Sequence, residues 1–191
     1  MNEIRDFFDK LAPTWDEGEN CTLERKRALL ERVGIRRGDK VLDVACGTGV
    51  VTGIVHSLSG EDVVGVDISP NMVTIAKQKY EDCPWARFEE GDVMKKDLGK
   101  YDFALIYNAY PHFPDPEALS KRLAELLTEG GRFAIVHSLS RKTLDRHHEC
   151  CQHISRSLAA PKEEGRFFEK EFVIESADEG EDFYLLTGRK K

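Results

Sequence analysis

Two aspartates accompany short apolar segments in the amino-terminal half of the chain. Asp43 lies within VLDV at positions 41–44, and Asp67 ends VVGVD at positions 63–67. The first segment runs directly into the small-residue sequence ACGTG at 45–49. Small residues let the backbone approach a ligand closely, and a following helix offers N–H groups that have no partner within the helix. The pattern therefore predicts a ligand-binding loop at the carboxyl end of a strand.

The spacing between this loop and the second aspartate indicates the chemical class of the ligand. Asp67 lies 18 residues after Gly49, at the end of the next apolar segment. A carboxylate in that place can accept hydrogen bonds from both hydroxyls of a ribose. A nucleoside-type ligand is therefore expected.

A dinucleotide and S-adenosylmethionine both contain adenosine, so two ligands compete for this interpretation. A dinucleotide-binding loop has the spacing G-x-G-x-x-G, whereas Gly47 and Gly49 are followed by Gly53, one position too late. Asp43 would also repel a pyrophosphate, at a cost of roughly a few kcal/mol. The ammonium and sulfonium of S-adenosylmethionine are instead attracted by a carboxylate. These residues favour S-adenosylmethionine.

Two functions remain as alternatives to an enzyme that uses S-adenosylmethionine. One is an NAD(P)-dependent oxidoreductase, which differs in binding a reduced dinucleotide rather than S-adenosylhomocysteine. The other is a non-catalytic S-adenosylmethionine-binding scaffold or sensor, which would bind the cofactor tightly without turnover on any acceptor.

The predicted elements after residue 35 alternate between strands and helices, as is typical of a parallel sheet covered by helices. The expected strands are short, apolar and buried on both faces, and they lie at 40–44, 62–67, 86–90, 103–107 and 131–137. The expected helices lie at 49–59, 71–80 and 116–128. Gly130 and Gly131 are expected to end the last of these helices.

The flanking segments complete the predicted architecture. Two amphipathic helices are expected at 4–15 and 23–33, as a lid or as outer packing, and a polar helix at 141–158. An antiparallel hairpin is expected from strands at 171–176 and 182–189, joined by residues 177–181. We expect one methyl-transfer domain over 1–191, whose parts are amino-terminal helices at 1–35, a cofactor-binding core at 36–137 and a closing region at 138–191.

Composition excludes several classes of partner. The net charge of −7 disfavours broad attraction to nucleic acid or to anionic lipid. No segment approaches the roughly 20 apolar residues that a membrane span requires, and the amino terminus lacks the apolar run of a secretory signal. The five cysteines include no C-x-x-C pair, which suits reduced thiols. We expect a cytoplasmic protein that binds neither nucleic acid nor membrane.

The motifs resemble those of a known family. VLDVACGTG at 41–49, Asp67, GDV at 91–93 and EGGRF at 129–133 look like the successive motifs of the class I S-adenosylmethionine-dependent methyltransferases. FFDKLAPTWD at 7–16 is similar to the start of the ubiquinone and menaquinone C-methyltransferases. The resemblance implies an α/β fold: a three-layer Rossmann-like sandwich around a mostly parallel seven-stranded sheet with a C-terminal antiparallel hairpin.

The resemblance also implies which residues hold the cofactor. Asp43 is expected near its ammonium, Asp67 on its ribose, and Asn108 beside its methionine moiety and methyl group. Asp92 is expected to accept a hydrogen bond from the adenine amine, although an aspartate after glycine is also typical of a plain turn. The remaining residues are, at the methionine portion, Ala45, Gly47 and Gly49, and, at the adenine, Ile68, Met72 and Val93. Ala45 replaces a frequent glycine of the family, which narrows the available backbone angles.

Methyl transfer from a sulfonium is an in-line displacement, to which a protein contributes proximity, alignment and exclusion of water. The aromatic and prolyl segment YNAYPHFP at 107–114 is expected to wall the pocket of a small-molecule acceptor. Tyr110, His112 and His137 are the candidates for contacting the acceptor. Tyr110 and His112 each have a structural role as an alternative to contacting the acceptor. Tyr110 would pack on the sheet, and His112 would cap a backbone group. The acceptor atom stays open, and the chain is expected to be a monomer or a homodimer.

An unusual cluster, HHECCQH, follows at 147–153. On a helix, His147 and Cys151 share one face, as two metal ligands do. A solvated helix surface is the simpler interpretation, and the predicted site contains no metal ligand.

Overall fold

The structure is a computed structural model that describes residues 3–18, 21–148 and 154–191. Its contacts divide the chain into two compact units, Met1–Leu98 and Gly99–Lys191. Among the described residues, no helix has both the length and the apolar character needed to cross a bilayer. The prediction of one domain over 1–191 stays a prediction.

Among its described residues, the first unit contains four helices and three strands. The helices are α1 (Glu3–Leu11), α2 (Leu23–Glu31), α3 (Thr52–Ser59) and α4 (Pro70–Lys79), and two short 3-10 turns follow α1 at Ala12–Thr14 and Asp16–Gly18. The strands are β1 (Val41–Val44), β2 (Val63–Asp67) and β3 (Ala86–Glu90). All three strands run parallel, with β2 between β1 and β3.

In the part of the second unit that the structure describes, there are three helices and four strands. The helices are α5 (Pro116–Leu126), α6 (Arg141–His148) and α7 (Pro161–Gly165), and a 3-10 turn lies at Tyr110–His112. The strands are β4 (Tyr101–Tyr107), β5 (Leu127–His137), β6 (Phe172–Glu179) and β7 (Tyr184–Lys190). Strands β4 and β5 are parallel, whereas β7 pairs antiparallel with both β5 and β6.

The seven strands form one sheet in the order β3-β2-β1-β4-β5-β7-β6. Strands β1, β2 and β4 are almost wholly buried, as continuous apolar strands require. The predicted fold class is confirmed: an α/β Rossmann-like fold with a mostly parallel seven-stranded sheet and a C-terminal antiparallel hairpin.

One strand was predicted with the wrong burial. Residues 86–90 do form β3, but only Phe88 is buried, whereas burial on both faces was expected. Strand β3 is the last strand at its end of the sheet, so it has a partner strand on one side only. The charged pair Arg87 and Glu89 (3.4 Å) lies on this strand, as is common on edge strands.

Several predicted boundaries also differ from the structure. Helix α5 ends at Leu126, and Gly130 and Gly131 lie within β5, where the register against β4 shifts between Tyr101 and Phe103. Helix α3 begins at Thr52 because the preceding loop has left-handed residues. Strand β6 extends to Glu179, so the hairpin turn is shorter than predicted, with Gly180 N donating to Phe183 O. The helix expected at 141–158 is described as far as His148, and residues 155–160 are not helical.

Candidate functional site

The loop after β1 has an unusual backbone. Ala45, Gly47 and Gly49 have φ values of 55°, 54° and 76°, in the left-handed region. Glycine adopts this region freely, whereas alanine pays about 1–2 kcal/mol. We call residues 45–49 the glycine loop. Because three of its five residues are left-handed, the loop needs contacts from outside itself to keep this shape.

Asp67, at the end of β2, provides one of those contacts. Its Oδ2 accepts a hydrogen bond from Gly47 N at 2.8 Å, and its Oδ1 accepts one from Ser69 N at 2.9 Å. The residue is 8% exposed, and burial raises the pKa of its carboxyl although these backbone N–H groups lower it. Each carboxylate oxygen has a second lone pair. Asp67 can therefore hold the glycine loop and still accept hydrogen bonds from a ligand.

Asp43 is more deeply buried, at 1% exposed. Its Oδ2 accepts a hydrogen bond from Thr52 Oγ1 at 3.1 Å. Burial raises the pKa of Asp43 to about 7, and the negative charge of Asp67 also raises it. A cationic ligand group nearby would favour the ionised form, so this pair of carboxylates suits a positively charged ligand.

The other predicted cofactor residues of the first unit surround the same loop and the ends of β2 and β3. Met72 is buried, and its sulfur lies 4.0 Å from where a Cβ on Gly47 would stand, while Ile68 is half-buried. Val93 is buried. Asp92 Oδ1 accepts a hydrogen bond from Met94 N at 3.0 Å, the contact expected of a plain turn.

The amino-terminal segment at residues 7–16 contacts both sides of this site through two aspartates. Asp9 Oδ1 accepts from Ser69 Oγ (2.5 Å) and from Asn71 N (3.2 Å) at the start of α4. Asp16 accepts from Thr48 Oγ1 (2.6 Å) in the glycine loop and pairs with Lys79 Nζ (2.7 Å). Burial raises the pKa of the Asp16 carboxyl. The hydrogen bonds from Lys79 and Thr48 lower this pKa by more, so it lies below its usual value. The segment is therefore bonded to the glycine loop and to α4.

Sequence reasoning did not predict these contacts. The sequence predicts an amphipathic helix at 4–15, as a lid or as outer packing, and a family likeness at 7–16, but nothing in this pattern identifies Ser69 or Thr48 as partners. Trp15 is a further neighbour, with Nε1 3.7 Å from where a Cβ on Gly47 would stand.

In the second unit, Asn108 follows β4 with a left-handed φ of 53°. Its Oδ1 accepts a hydrogen bond from Ser138 N at 2.8 Å, and its Nδ2 donates to Ser138 Oγ at 3.0 Å. The backbone N of Asn108 donates to Val136 O at 2.8 Å. Asn108 thus ties the carboxyl end of β4 to that of β5.

Tyr110 has the contacts of a structural residue. It is 0% exposed, and its hydroxyl donates to Glu164 Oε2 at 2.7 Å. The guanidinium carbon of Arg156 lies 4.5 Å from its ring centroid. Burial, together with the charge of Glu164, raises the pKa of Tyr110 far above its usual range. The hydroxyl is therefore a hydrogen-bond donor in the interior of this unit.

The two histidine candidates differ in exposure. His112 is half-buried, and its Nδ1 lies 3.1 Å from Ile154 O and 3.2 Å from Ser155 Oγ, as expected if it caps a backbone group. His137 is 0% exposed, with its ring edge-on to Tyr184 at 5.8 Å. Contact of either histidine with an acceptor stays a prediction.

The cluster at 147–153 lies mostly outside the described residues, which resume at residue 154. Within the part of the chain that the structure describes, no group of three or more His, Cys, Asp or Glu side chains is arranged to hold a metal ion.

Comparison with known proteins supplies the family. The methyltransferase domain family matches residues 41–131. The magnesium-protoporphyrin O-methyltransferase of Rhodobacter capsulatus is 34% identical over 165 residues, covering 74% of this chain and 70% of that protein. A demethylmenaquinone methyltransferase of Chlorobaculum parvum is 29% identical over 150 residues, covering 72% of this chain and 61% of that protein. The chain spans about half to three fifths of the length of several curated relatives that it matches.

A solved structure agrees with the fold. The N-methyltransferase NodS from Bradyrhizobium japonicum, in complex with S-adenosylhomocysteine, superposes with a TM-score of 0.74 at 13% identity and covers 99% of both chains. At that identity the likeness concerns the fold alone. The family match and the Rhodobacter relative carry the assignment: the chain belongs to the class I S-adenosylmethionine-dependent methyltransferases.

Proposed function

We propose that this chain transfers the methyl group of S-adenosylmethionine to a small-molecule acceptor. The observation that carries the proposal is the Asp67 carboxylate, buried at the end of β2 and bonded to Gly47 N of the glycine loop. It couples a nucleoside-binding carboxylate to the loop against which a methionine moiety would lie. Family membership supports the same activity.

The residues of the first unit suit the parts of this cofactor. Asp67 would accept hydrogen bonds from the ribose hydroxyls, and Asp43 would stabilise the ammonium, through its charge or through water. The glycine loop would lie against the methionine portion. The adenine would be enclosed by Ile68, Met72 and Val93. The Asp92 carboxylate would accept a hydrogen bond from the adenine amine in addition to the turn bond at its Oδ1.

The cofactor supplies an activated methyl carbon on a sulfonium, and the C–S bond breaks as the bond from the acceptor to carbon forms. The residues of this chain would bind, orient and exclude water, which are the main protein contributions to such a displacement. We propose that Asn108 positions the methionine moiety and methyl group, since its amide is already fixed by Ser138.

An acceptor that keeps its proton until the transition state needs a base. His112 is our first candidate, because its Nδ1 contact with Ile154 O fixes the ring and it keeps some exposed surface. Tyr110 and His137 are fully buried. We therefore propose that they support the fold of the acceptor side, with a direct catalytic role as the weaker alternative.

The acceptor class, the assembly state and the location complete the proposal. Two relatives are named for demethylmenaquinone and magnesium-protoporphyrin, so quinol-like rings and tetrapyrroles are the first acceptors to test. We propose a monomer or homodimer in the cytoplasm, consistent with the net charge of −7.

Isothermal titration calorimetry with S-adenosylhomocysteine and with NADH tests the cofactor. The proposal expects binding of the first and none of the second. The opposite result would support the oxidoreductase alternative and overturn the proposal. A radiolabelled methyl-transfer screen over quinols, tetrapyrroles and thiols then tests catalysis, and tight cofactor binding without transfer to any acceptor would favour a scaffold or sensor.

A further inference from the structure

Tyr80, the residue that follows α4, makes two hydrogen bonds to the region of the glycine loop. Its hydroxyl donates to Gly49 O at 2.9 Å and accepts from Gly53 N at 3.0 Å. The two glycines lie on opposite sides of the turn that leads from the loop into α3. One side chain therefore bridges the last residue of the glycine loop and the first turn of the next helix.

The bond to Gly53 replaces a missing helix cap. Helix α3 begins at Thr52 after Val51, which has no side-chain oxygen, and no side chain at that position caps the helix. The first N–H groups of a helix have no partner within the helix and normally bond to a polar N-cap residue. Tyr80 supplies an oxygen to one of them from 27 residues away.

The ring of Tyr80 also touches the loop. A Cβ added to Gly49 would lie 3.0 Å from Tyr80 Cε2 and 3.2 Å from Phe88 Cε1, so a larger residue would require these rings to shift. The Tyr80 ring is in turn fixed by Phe88 (5.4 Å between centroids) and Trp85 (5.6 Å). Trp85 stacks on His56 of α3 at 3.9 Å. The hydroxyl is thus presented by a packed aromatic group.

This restraint affects ligand affinity because the two glycines of the loop adopt many backbone conformations freely, and Ala45 is strained in the observed one. Ala45, Gly47 and Gly49 are all left-handed, so conformations other than this one compete when the loop is unrestrained. Some ligands bind only the ordered conformation of the loop. The apparent affinity of such a ligand falls in proportion to the fraction of molecules that have this conformation. Asp67 restrains Gly47, and Tyr80 restrains Gly49.

We propose that Tyr80 is a positioning residue for cofactor binding, which holds the glycine loop and the start of α3 in the conformation that accepts S-adenosylmethionine. The proposal rests on the proposed function. Tyr80 acts through the loop backbone, and its role is to keep the ordered conformation populated before the cofactor arrives.

The test is Tyr80→Phe, which keeps the ring packing and removes both hydrogen bonds. S-Adenosylhomocysteine affinity, measured by calorimetry, is expected to fall about 3- to 10-fold. Hydrogen exchange at the Gly53 amide is expected to become faster, because that N–H loses its acceptor. The matched control is Thr128→Val, which removes the hydroxyl bond of Thr128 to Asp102 (3.0 Å) in the second unit and should leave the affinity unchanged.

The outcomes separate the two proposals. If Tyr80→Phe lowers the unfolding midpoint as Thr128→Val does but binds S-adenosylhomocysteine as tightly as wild type, the hydroxyl serves the fold alone and the positioning role is overturned. If the wild-type protein itself does not bind S-adenosylhomocysteine, the proposed function fails first.

Discussion

Gly47 N donates a 2.8 Å hydrogen bond to Asp67 Oδ2, so the end of β2 holds the loop that follows β1. This bond joins two residues 20 positions apart whose roles were predicted separately. It makes Asp67, which we propose binds the ribose of the cofactor, a structural support of the glycine loop. A change at Asp67 therefore affects the ligand contacts and the loop together.

Asp67→Ala is expected to weaken S-adenosylhomocysteine binding by about 1–3 kcal/mol, because hydrogen bonds to a charged acceptor are lost. Calorimetry measures the change. The control is Asp62→Ala, which removes the same charge from an exposed residue just before β2 and should leave affinity within about twofold. Equal affinity of Asp67→Ala and wild type would contradict the assignment of Asp67.

S-Adenosylhomocysteine affinity is expected to rise between pH 5.5 and pH 7.5. Asp43 has a pKa of about 7 in the free protein, so below that pH it is largely neutral and attracts the ligand ammonium weakly. The ligand amine stays largely charged below about pH 7.7. Asp43→Asn should bind more weakly at pH 7.5 and lose this pH dependence. A pH dependence that persists unchanged in Asp43→Asn would assign it to another group.

The same carboxyl predicts how stability depends on pH. The folded pKa of Asp43 is raised from 3.8 to about 7, so between these values the folded protein holds a proton that the unfolded chain has released. The contribution of Asp43 to the free energy of unfolding therefore falls as pH rises from about 4 to about 7. Urea denaturation of wild type and Asp43→Asn at several pH values measures the contribution of Asp43 as the difference between their free energies of unfolding. If this difference is the same at every pH, Asp43 makes no pH-dependent contribution to stability.

Ala45→Gly is expected to stabilise the protein by about 0.5–1 kcal/mol. The left-handed φ of 55° costs alanine about 1–2 kcal/mol, while glycine loses about 0.5–1 kcal/mol through the entropy of the unfolded chain. Denaturant unfolding measures the difference. Ala109→Gly, at a φ of −127°, has no such strain to relieve and should destabilise instead. Destabilisation by Ala45→Gly as large as that by Ala109→Gly would refute the strain at Ala45.

Glu164→Ala is expected to destabilise the protein by about 3 kcal/mol, since it leaves a partly buried guanidinium without its partner. Glu164 is 1% exposed, and each of its oxygens accepts a 2.8 Å hydrogen bond from Arg156. Burial raises the pKa of the Glu164 carboxyl. The hydrogen bonds from Arg156 contribute to lowering this pKa, which lies below its usual value. This stabilisation is present at neutral pH and is lost as pH falls through the lowered pKa. Thermal and urea unfolding measure both effects.

The neighbouring Glu163→Ala is the control for this change. Glu163 is exposed and accepts only a 3.3 Å hydrogen bond from Ala160 N, so its loss should cost less than about 1 kcal/mol. Similar losses for both glutamates would show that the ion pair with Arg156 adds no stability.

His112→Asn is expected to lower turnover by about a hundredfold or more on an acceptor that must lose a proton, because a base contributes about 10²–10⁴-fold. The asparagine keeps a polar group near Ile154 O, and S-adenosylhomocysteine affinity should not change. Steady-state kinetics with an acceptor from the methyl-transfer screen measures the rate. An unaltered rate would reduce His112 to its backbone-capping role.

Most strand and loop positions could be predicted, because the apolar segments and small-residue loops that indicate them are formed by neighbouring residues. The strand before the glycine loop was placed within one residue of β1, and the helix at 71–80 lies within one residue of α4 at each end. Asp43 was identified because it lies within the apolar segment that precedes the small-residue loop, and Asp67 because it ends the next apolar segment. The burial of β3 was predicted wrongly, since the position of a strand within a sheet depends on strands far away in the chain.

By itself, the sequence determined the alternation of strands and helices, the glycine loop and the two carboxylates beside it that we propose favour a cationic nucleoside, because each depends on neighbouring residues. Only the tertiary structure decided which side chains hold that loop, namely Asp16, Asp67 and Tyr80, and which polar groups of the second unit bond to one another, namely Tyr110, Arg156 and Glu164. These contacts join residues 8 to 54 positions apart. Such hydrogen bonds need a fixed distance and direction, which no spacing in the chain specifies before the strands are packed.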